Sequence, residues 1–326
     1  MRYIVGVDVG GTNTVVATLP EDGSQVYGVY KEPTLGRNGP DGVVEQIARM
    51  IDASRREASD AAGEALEVVG VGIGAPGPLD TKTGVVLLTP NLGWRNFPLR
   101  DRVSEAVGLP ATLDNDANCA VFGEWWRGAA QGTSLAIGLT IGTGIGGGVV
   151  LDGKIFHGSR DIAAEFGHMS IDSTGRRCKC GNYGCLEAYA SGTAIASRAV
   201  EGIEAGAPSS LPDYVERNLD AVTAYTVYQA AQDGDEYARE VLKDTARFLG
   251  TGVANLINIF NPEVVVILGG VTQAGEELFR PLRAEVARRA FRPAVEGLRI
   301  VPGTLPGRAG VYGAVAAFKA QQWGAV

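Results

Sequence analysis

Apolar residues near the amino end fall in short β-branched runs, and those runs give way to helical spacing only after about forty residues. Arg2 to Gly10 reads as a strand, Gly10–Gly11 as a turn, and Thr14 to Leu19 as a second strand. An Asp-Gly turn within Glu21 to Gly23 leads to a third run, Gln25 to Glu32, so the three predict an antiparallel meander. Val43, Val44, Ile47, Met50 and Ile51 then recur at helical spacing and predict a helix from Pro40 to Ala62. A strand over Leu66 to Ile73 ends in the loop GAPGPLD, and Val85 to Leu88 suggests a short hairpin. A helix over Leu99 to Val107 and a strand over Ala111 to Leu113 bring the chain to Asp114-Asn115-Asp116.

The plan then repeats. Leu135 to Ile141 is a strand, GTGIGGG its turn, and Val149 to Leu151 a return strand ending at Asp152–Gly153. Helical periodicity follows in Ala194–Glu204, Ala221–Gln232 and Glu236–Phe260. Val264 to Leu268 reads as a buried strand, Glu276 to Phe291 as a helix, Leu298 to Val301 as a strand and Arg308 to Gln322 as a closing helix. A strand–glycine turn–strand unit that occurs twice, each time followed by alternating helix and strand, predicts a duplicated α/β architecture.

Bulk properties narrow the function without naming it. The 326 residues suffice for about two domains with substantial cores. Hydrophobic and charged shares of 45% and 20% are those of an ordinary globular enzyme. A net charge of −8 and a pI near 5.0 argue against nucleic acid as the main partner. The first residues run straight into a strand pattern, and no apolar run reaches the ~20 residues of a membrane span, so a cytoplasmic location is expected.

Chemistry concentrates in a 23-residue stretch, EFGHMSIDSTGRRCKCGNYGCLE, which holds three of the four cysteines and one of the two histidines. His168, Cys178, Cys180 and Cys185 offer three thiolates and an imidazole, the ligand set of a closed structural zinc site with no open position for catalysis. Gly181 and Gly184 allow the loop to bend between the sulfurs. Glu165 and Glu187 bracket the set, so the metal would fix two carboxylates in space. Sparse cysteines in a large chain speak against a disulfide framework. Cys119 lies in an apolar helical run and reads as a core residue; His157 sits in a turn with nothing to mark it as a ligand.

Two glycine turns, DVGGTN (Asp8 to Asn13) and TIGTGIGGG (Thr140 to Gly148), each join two strand-like segments. Exposed backbone N–H groups of such turns can grip a phosphate. Thr12, Asn13, Thr140 and Thr143 add side-chain donors, and Asp8 could hold Mg²⁺ directly or through water. Gly142, Gly144 and Gly147 match the dinucleotide fingerprint GxGxxG, but that fingerprint needs a helix where GVVLDG follows. A β-hairpin is therefore expected. Neither turn carries the Gly-Lys-Ser/Thr of a Walker A loop. At the strand-to-helix junction, one of the two acids is expected to cap the helix. Asn115 beside Asp116 offers more: an amide to orient a hydroxyl and a carboxylate to accept its proton. Asn91, Asn115, Asp116, Glu165, His168 and Glu187 together would suit a polyol.

These residues resemble the ROK family of sugar kinases, and within it the bacterial ATP-dependent glucokinases. The resemblance runs from DVGGTN near residue 8 to GRAGVYGA near residue 307, and CKCGNYGCLE with EFGH upstream is its most specific part. It implies an α/β, actin-like ATPase (ribonuclease H-like) fold of two duplicated domains around a central cleft. A small domain would take residues 1–114 and about 308–326, and a large one residues 115–307 with the zinc segment 165–187. It further implies Asp116 as catalytic base, with Asn115, Glu165, His168 and Glu187 on the sugar and Gly77 and Asn91 in loops nearby. The turns at Gly10, Gly11 and Thr12 and at Thr140, Gly142, Thr143 and Gly144 would clamp the phosphates, with Gly269 and Gly270 of LGGV bordering the adenosine. The implied cofactors are ATP, Mg²⁺ and structural Zn²⁺. The implied partners are a sugar and ATP in a homo-oligomer, a dimer or tetramer, without nucleic acid or membrane. Phe166, where a branched aliphatic is commoner, and Val15 depart from the family pattern without touching an implied catalytic group.

The activity so implied is phosphorylation of glucose at its 6-hydroxyl. Fructose, mannose, allose or N-acetylmannosamine are alternatives that pocket contacts would decide. Polyphosphate is an alternative donor. A sugar-responsive repressor is the more distant alternative, since such relatives carry a helix-turn-helix ahead of the body and a strand here begins at residue 2.

Overall fold

The computed structural model describes residues 1–326 except Glu64, Pro90, Asn91 and the side chain of Arg37. The first half runs β1 (Arg2–Val9), β2 (Asn13–Pro20), β3 (Tyr27–Pro33), α1 (Gly39–Ala62) and β4 (Glu67–Ala75). Then come β5 (Leu79–Asp80), β6 (Val85–Thr89), β7 (Trp94–Phe97), α2 (Leu99–Val107), β8 (Ala111–Asn115) and α3 (Asp116–Arg127). The second half opens with β9 (Leu135–Ile141), β10 (Ile145–Leu151), β11 (Lys154–Ile155), α4 (Glu187–Ala190), α5 (Gly192–Glu204) and α6 (Leu211–Tyr214). It ends with α7 (Ala224–Gln232), α8 (Glu236–Phe260), β12 (Val264–Leu268), α9 (Glu276–Arg289), β13 (Arg299–Pro302) and α10 (Ala309–Trp323).

The repetition read from the sequence reappears as sheet topology. One five-stranded sheet has the order β3-β2-β1-β4-β8 and the other the order β11-β10-β9-β12-β13, the same walk twice. In the first, β1 pairs antiparallel with β2 and parallel with β4, which pairs parallel with β8. In the second, β10 pairs antiparallel with β11, and β12 parallel with β13. GTGIGGG turns β9 directly into β10, so it is a hairpin turn and no helix follows it.

By packing, the chain forms two compact units: residues 1–136, 148–164 and 303–326, and residues 137–147 and 165–302. The sequence expectation drew the boundary at residue 114; α3 instead packs with the first unit, held there by α10. The reason is a close helix crossing. A Cβ on Gly123 of α3 would lie 2.1 Å from the Ala309 carbonyl oxygen, and one on Gly313 of α10 would lie 1.6 Å from that of Cys119. Cys119 is fully buried at this crossing, as a core residue. Gly6 and Gly72 let α10 lie equally close on the sheet, since Cβ atoms there would meet the carbonyls of Val311 and Ala314. The opposite side of the sheet packs Val5, Val7 and Ile73 against Ile47 and Met50 of α1. The second unit has its own helical core, including Ile195, Val227, Ala230, Val241 and Leu242.

One fully buried carboxylate fastens α3 within the first unit. Glu124 Oε2 accepts the Ala129 and Thr304 N–H groups at 2.8 and 3.0 Å, and Oε1 accepts that of Leu305 at 2.9 Å. Glu124→Leu would leave these three donors without their acceptor, and we expect it to destabilise the protein by about 2–4 kcal/mol. Glu124→Gln, which keeps one acceptor, should lose less. Urea unfolding of both variants checks the order.

Candidate functional site

In the first unit, Asp8 is the penultimate residue of β1, and the chain then turns tightly into β2. The Gly10 N–H donates to the Asn13 carbonyl at 2.9 Å, and Thr34 ties the turn from outside through Thr12 and Gly10. A Cβ on Gly10 would sit 2.8 Å from the Asn13 oxygen, so the bend needs glycine there. Gly11 and Thr12 are exposed at its tip, and Asn13 is half-buried. Burial and then the charge of Asp116 push the Asp8 carboxyl up to about 7. A cation beside Asp8 would offset both effects, so the donor chemistry fits Mg²⁺.

The β8–α3 junction corrects the expectation that an acid caps the helix. Asn115 is the cap: its Oδ1 accepts the N–H groups of Ala117 at 2.9 Å and Asn118 at 3.2 Å. An amide cap leaves both flanking carboxylates for other work. Asp116 begins the helix and its Oδ1 accepts the Ala117 N–H at 2.8 Å. With Asn115 Oδ1 committed to the cap, hydroxyl contact from Asn115 falls to its Nδ2. Asp114 turns inward, away from solvent, onto His157. Gly77 occupies the loop after β4 with φ of 92°, and a Cβ there would lie 2.1 Å from the Leu88 carbonyl oxygen. Asn91 lies outside the described residues.

In the second unit, the His168, Cys178, Cys180 and Cys185 ligand atoms all lie within 4.8 Å of one another. Cys180 Sγ and Cys185 Sγ are 3.7 Å apart, and Cys178 Sγ is 3.9 Å from His168 Nδ1. Zinc–sulfur bonds of about 2.3 Å at the tetrahedral angle put neighbouring sulfurs about 3.8 Å apart, so the four residues fit a zinc ion. The loop closes because Gly181 and Gly184 take φ of 97° and 72°. Burial and the neighbouring thiols raise the Cys185 thiol, and a bound divalent cation would reverse that. His168 Nε2, on the other edge of the ring, is 4.0 Å from Glu165 Oε2.

Glu187 joins this cluster to the second glycine turn. Its Oε2 accepts the Ile145 N–H at 2.9 Å, while its Oε1 is 3.9 Å from Cys178 Sγ. A Cβ on Gly144 would lie 2.4 Å from that same Oε2, so only glycine admits the carboxylate. Thr140 is half-buried at the end of β9, and Gly142 and Thr143 are exposed. The turn rests against the start of α5: Gly192 N–H donates to the Gly142 carbonyl and Thr193 Oγ1 to that of Thr143, both at 2.8 Å. Beside it opens a pocket of about 350 Å³, bordered by Gly142, Thr143 and Gly270 and walled by Val222, Tyr225 and Tyr228. Gly269, next to it in sequence, has φ of 97° and approaches the Ile141 carbonyl. The sequence reading missed Thr193, Val222 and both tyrosines. Thr193 and the tyrosines lie on helices far along the chain and Val222 just ahead of one, where apolar periodicity marks a core as readily as a pocket.

The profile of the ROK family matches residues 4–321. The chain belongs to the ROK family. This ROK chain is 40% identical over 317 residues to the glucokinase of Thermotoga maritima, covering 97% of each. It is 34% identical over 314 residues to the xylose repressor of Caldicellulosiruptor bescii, covering 96% of this chain and 77% of the repressor. Among solved structures, a ROK glucokinase from Streptomyces griseus in complex with glucose and AMPPNP matches with a TM-score of 0.83 and 34% identity, over 96% of this chain and 98% of that one. The ROK chain accordingly has the actin-like ATPase fold. Among its described residues, no helix is long and apolar enough to cross a membrane.

Proposed function

We propose that this protein is a glucokinase that transfers the γ-phosphoryl group of ATP to the 6-hydroxyl of glucose. Near-full-length similarity to glucokinases carries the reading, and the chemistry of the two units supports it. Phosphoryl transfer asks a protein mainly to position groups and to balance charge. In the first unit, Asp116 accepts the proton of the 6-hydroxyl, Asn115 orients that hydroxyl through its amide, and Gly77 belongs to a loop at the sugar. The Gly10–Thr12 turn and Asn13 bind phosphate, and Asp8 would hold Mg²⁺ arriving with ATP.

In the second unit, Glu165, His168 and Glu187 pair with the other sugar hydroxyls, with His168 presenting Nε2 to the sugar while Nδ1 faces the metal. His168, Cys178, Cys180 and Cys185 would hold a structural zinc there, which would fix these side chains without taking part in bond making. Thr140 and the Gly142–Gly144 turn bind phosphate beside the α5 amino terminus, where backbone N–H groups and the helix dipole favour anions. Gly269 and Gly270 border the neighbouring pocket, which takes the adenosine. The enzyme works in the cytoplasm, where ATP is supplied, and as a homo-oligomer.

A coupled ADP-release assay across glucose, fructose, mannose, allose and N-acetylmannosamine tests the proposal. Glucose should give the highest kcat/KM. A higher value for another hexose would reassign the substrate, and ADP release that no hexose stimulates would end the kinase reading.

A further inference from the structure

The turn histidine that the sequence left without a role holds the carboxylate next to the proposed base. Asp114, 1% exposed, has both carboxylate oxygens engaged. Oδ1 accepts the Asn115 N–H at 2.8 Å and Asn118 Nδ2 at 3.3 Å, so it grips the residues on both sides of Asp116. Oδ2 accepts His157 Nε2 at 2.8 Å and, more weakly, Gln321 Nε2 of α10 at 3.4 Å. His157 is itself anchored, because its carbonyl accepts the Ala163 N–H at 3.1 Å. The loop it closes is pinned again where Asp161 Oδ2 accepts the Thr81 N–H and hydroxyl, each at 2.9 Å.

We propose that His157 is a positioning residue for phosphoryl transfer, acting through Asp114 to fix Asn115 and the first turn of α3, and hence the direction of the Asp116 carboxylate. The inference rests on the kinase reading above. Without His157, a buried carboxylate keeps only the long Gln321 contact on Oδ2 and must turn to find a donor. Turning it releases Oδ1 from the Asn115 N–H and the Asn118 side chain, and Asp116 lies between those two residues. Misplacing a reacting group by about 1 Å costs up to about 100-fold in rate. Sugar and ATP binding rest largely on other residues and should change little.

The test compares wild type with His157→Leu and His157→Gln, both assayed well below their melting temperatures. Leucine cannot donate to Asp114, whereas the glutamine amide nitrogen reaches close to the position of His157 Nε2. His157→Leu should lower kcat about 10- to 100-fold with KM for glucose and ATP within about threefold. His157→Gln should recover most of that loss. A kcat for His157→Leu within twofold of wild type, or a glutamine variant no better than leucine, would overturn the assignment. If the leucine variant does not fold, His157→Asn, one methylene too short to reach, replaces it. Equal kcat for the asparagine and glutamine variants would then refute the role. Failure of wild type itself to phosphorylate any hexose would instead strike the kinase reading, so the two failures are distinguishable.

Discussion

Replacing Asp116 with asparagine should reduce turnover by about 10²–10⁴-fold while leaving the KM for glucose within a few-fold of wild type. The substitution keeps the shape of the side chain and keeps an oxygen to accept the Ala117 N–H, so the first turn of α3 should hold. Only the capacity to take a proton is lost. Asn115 still caps the helix through its own side chain, so the melting temperature should barely move. Asp8 provides a second readout. Its carboxyl is held up first by burial and then by the Asp116 charge, so removing that charge should bring it down from about 7. Steady-state kinetics with a coupled ADP assay, together with a thermal melt, distinguishes lost chemistry from lost structure. Near-normal turnover would take Asp116 out of its role.

Loss of the metal should have the second largest effect. Purified protein should contain about one zinc per chain, and Cys180→Ala should contain far less. Three features would tie such an ion to binding. His168 presents Nδ1 to the cluster and its other edge to Glu165, Glu187 follows Cys185 by two residues, and Glu187 Oε2 holds the Ile145 N–H. Without zinc the segment loosens, and both glutamates and the Gly144 turn lose their support. We expect glucose affinity to fall about 10- to 100-fold, the range seen when groups supporting a metal site are removed. Stability should fall by less than the ~10–16 kcal/mol of zinc-finger peptides, because this unit keeps a helical core of its own. Metal analysis, a glucose titration and a thermal melt of the same preparation check all three points. A metal-free protein with full sugar affinity would sever the ion from the binding site.

What the sequence disclosed follows from how locally each feature is encoded. The four residues that could hold a metal fall within one short segment whose glycines mark its bends, so spacing alone brought them together. The glycine turns were legible for the same reason, and strand periodicity on either side identified the second as a hairpin. The Asp114–His157 pair was not legible: it joins residues 43 apart, and its existence depends on where two unrelated segments pack. Asn115 as the cap was hidden by its neighbours, because aspartate and asparagine cap equally well and three candidates stood in a row. Glu124 gave no signal either. A buried carboxylate held by backbone N–H groups 180 residues away looks, in one dimension, like any glutamate on a helix.

Helix α10 also sets an order of events during synthesis. Residues 1–136 form most of the first unit, yet one face of their sheet is lined with glycines shaped to receive a helix that begins at Ala309. A growing chain therefore lacks the helix that covers this face until the whole of the second unit has left the ribosome. The middle of the polypeptide can mature while its beginning waits. Chains truncated near residue 305 and released from the ribosome should accordingly be protease-resistant in the later part and protease-sensitive in the earlier one.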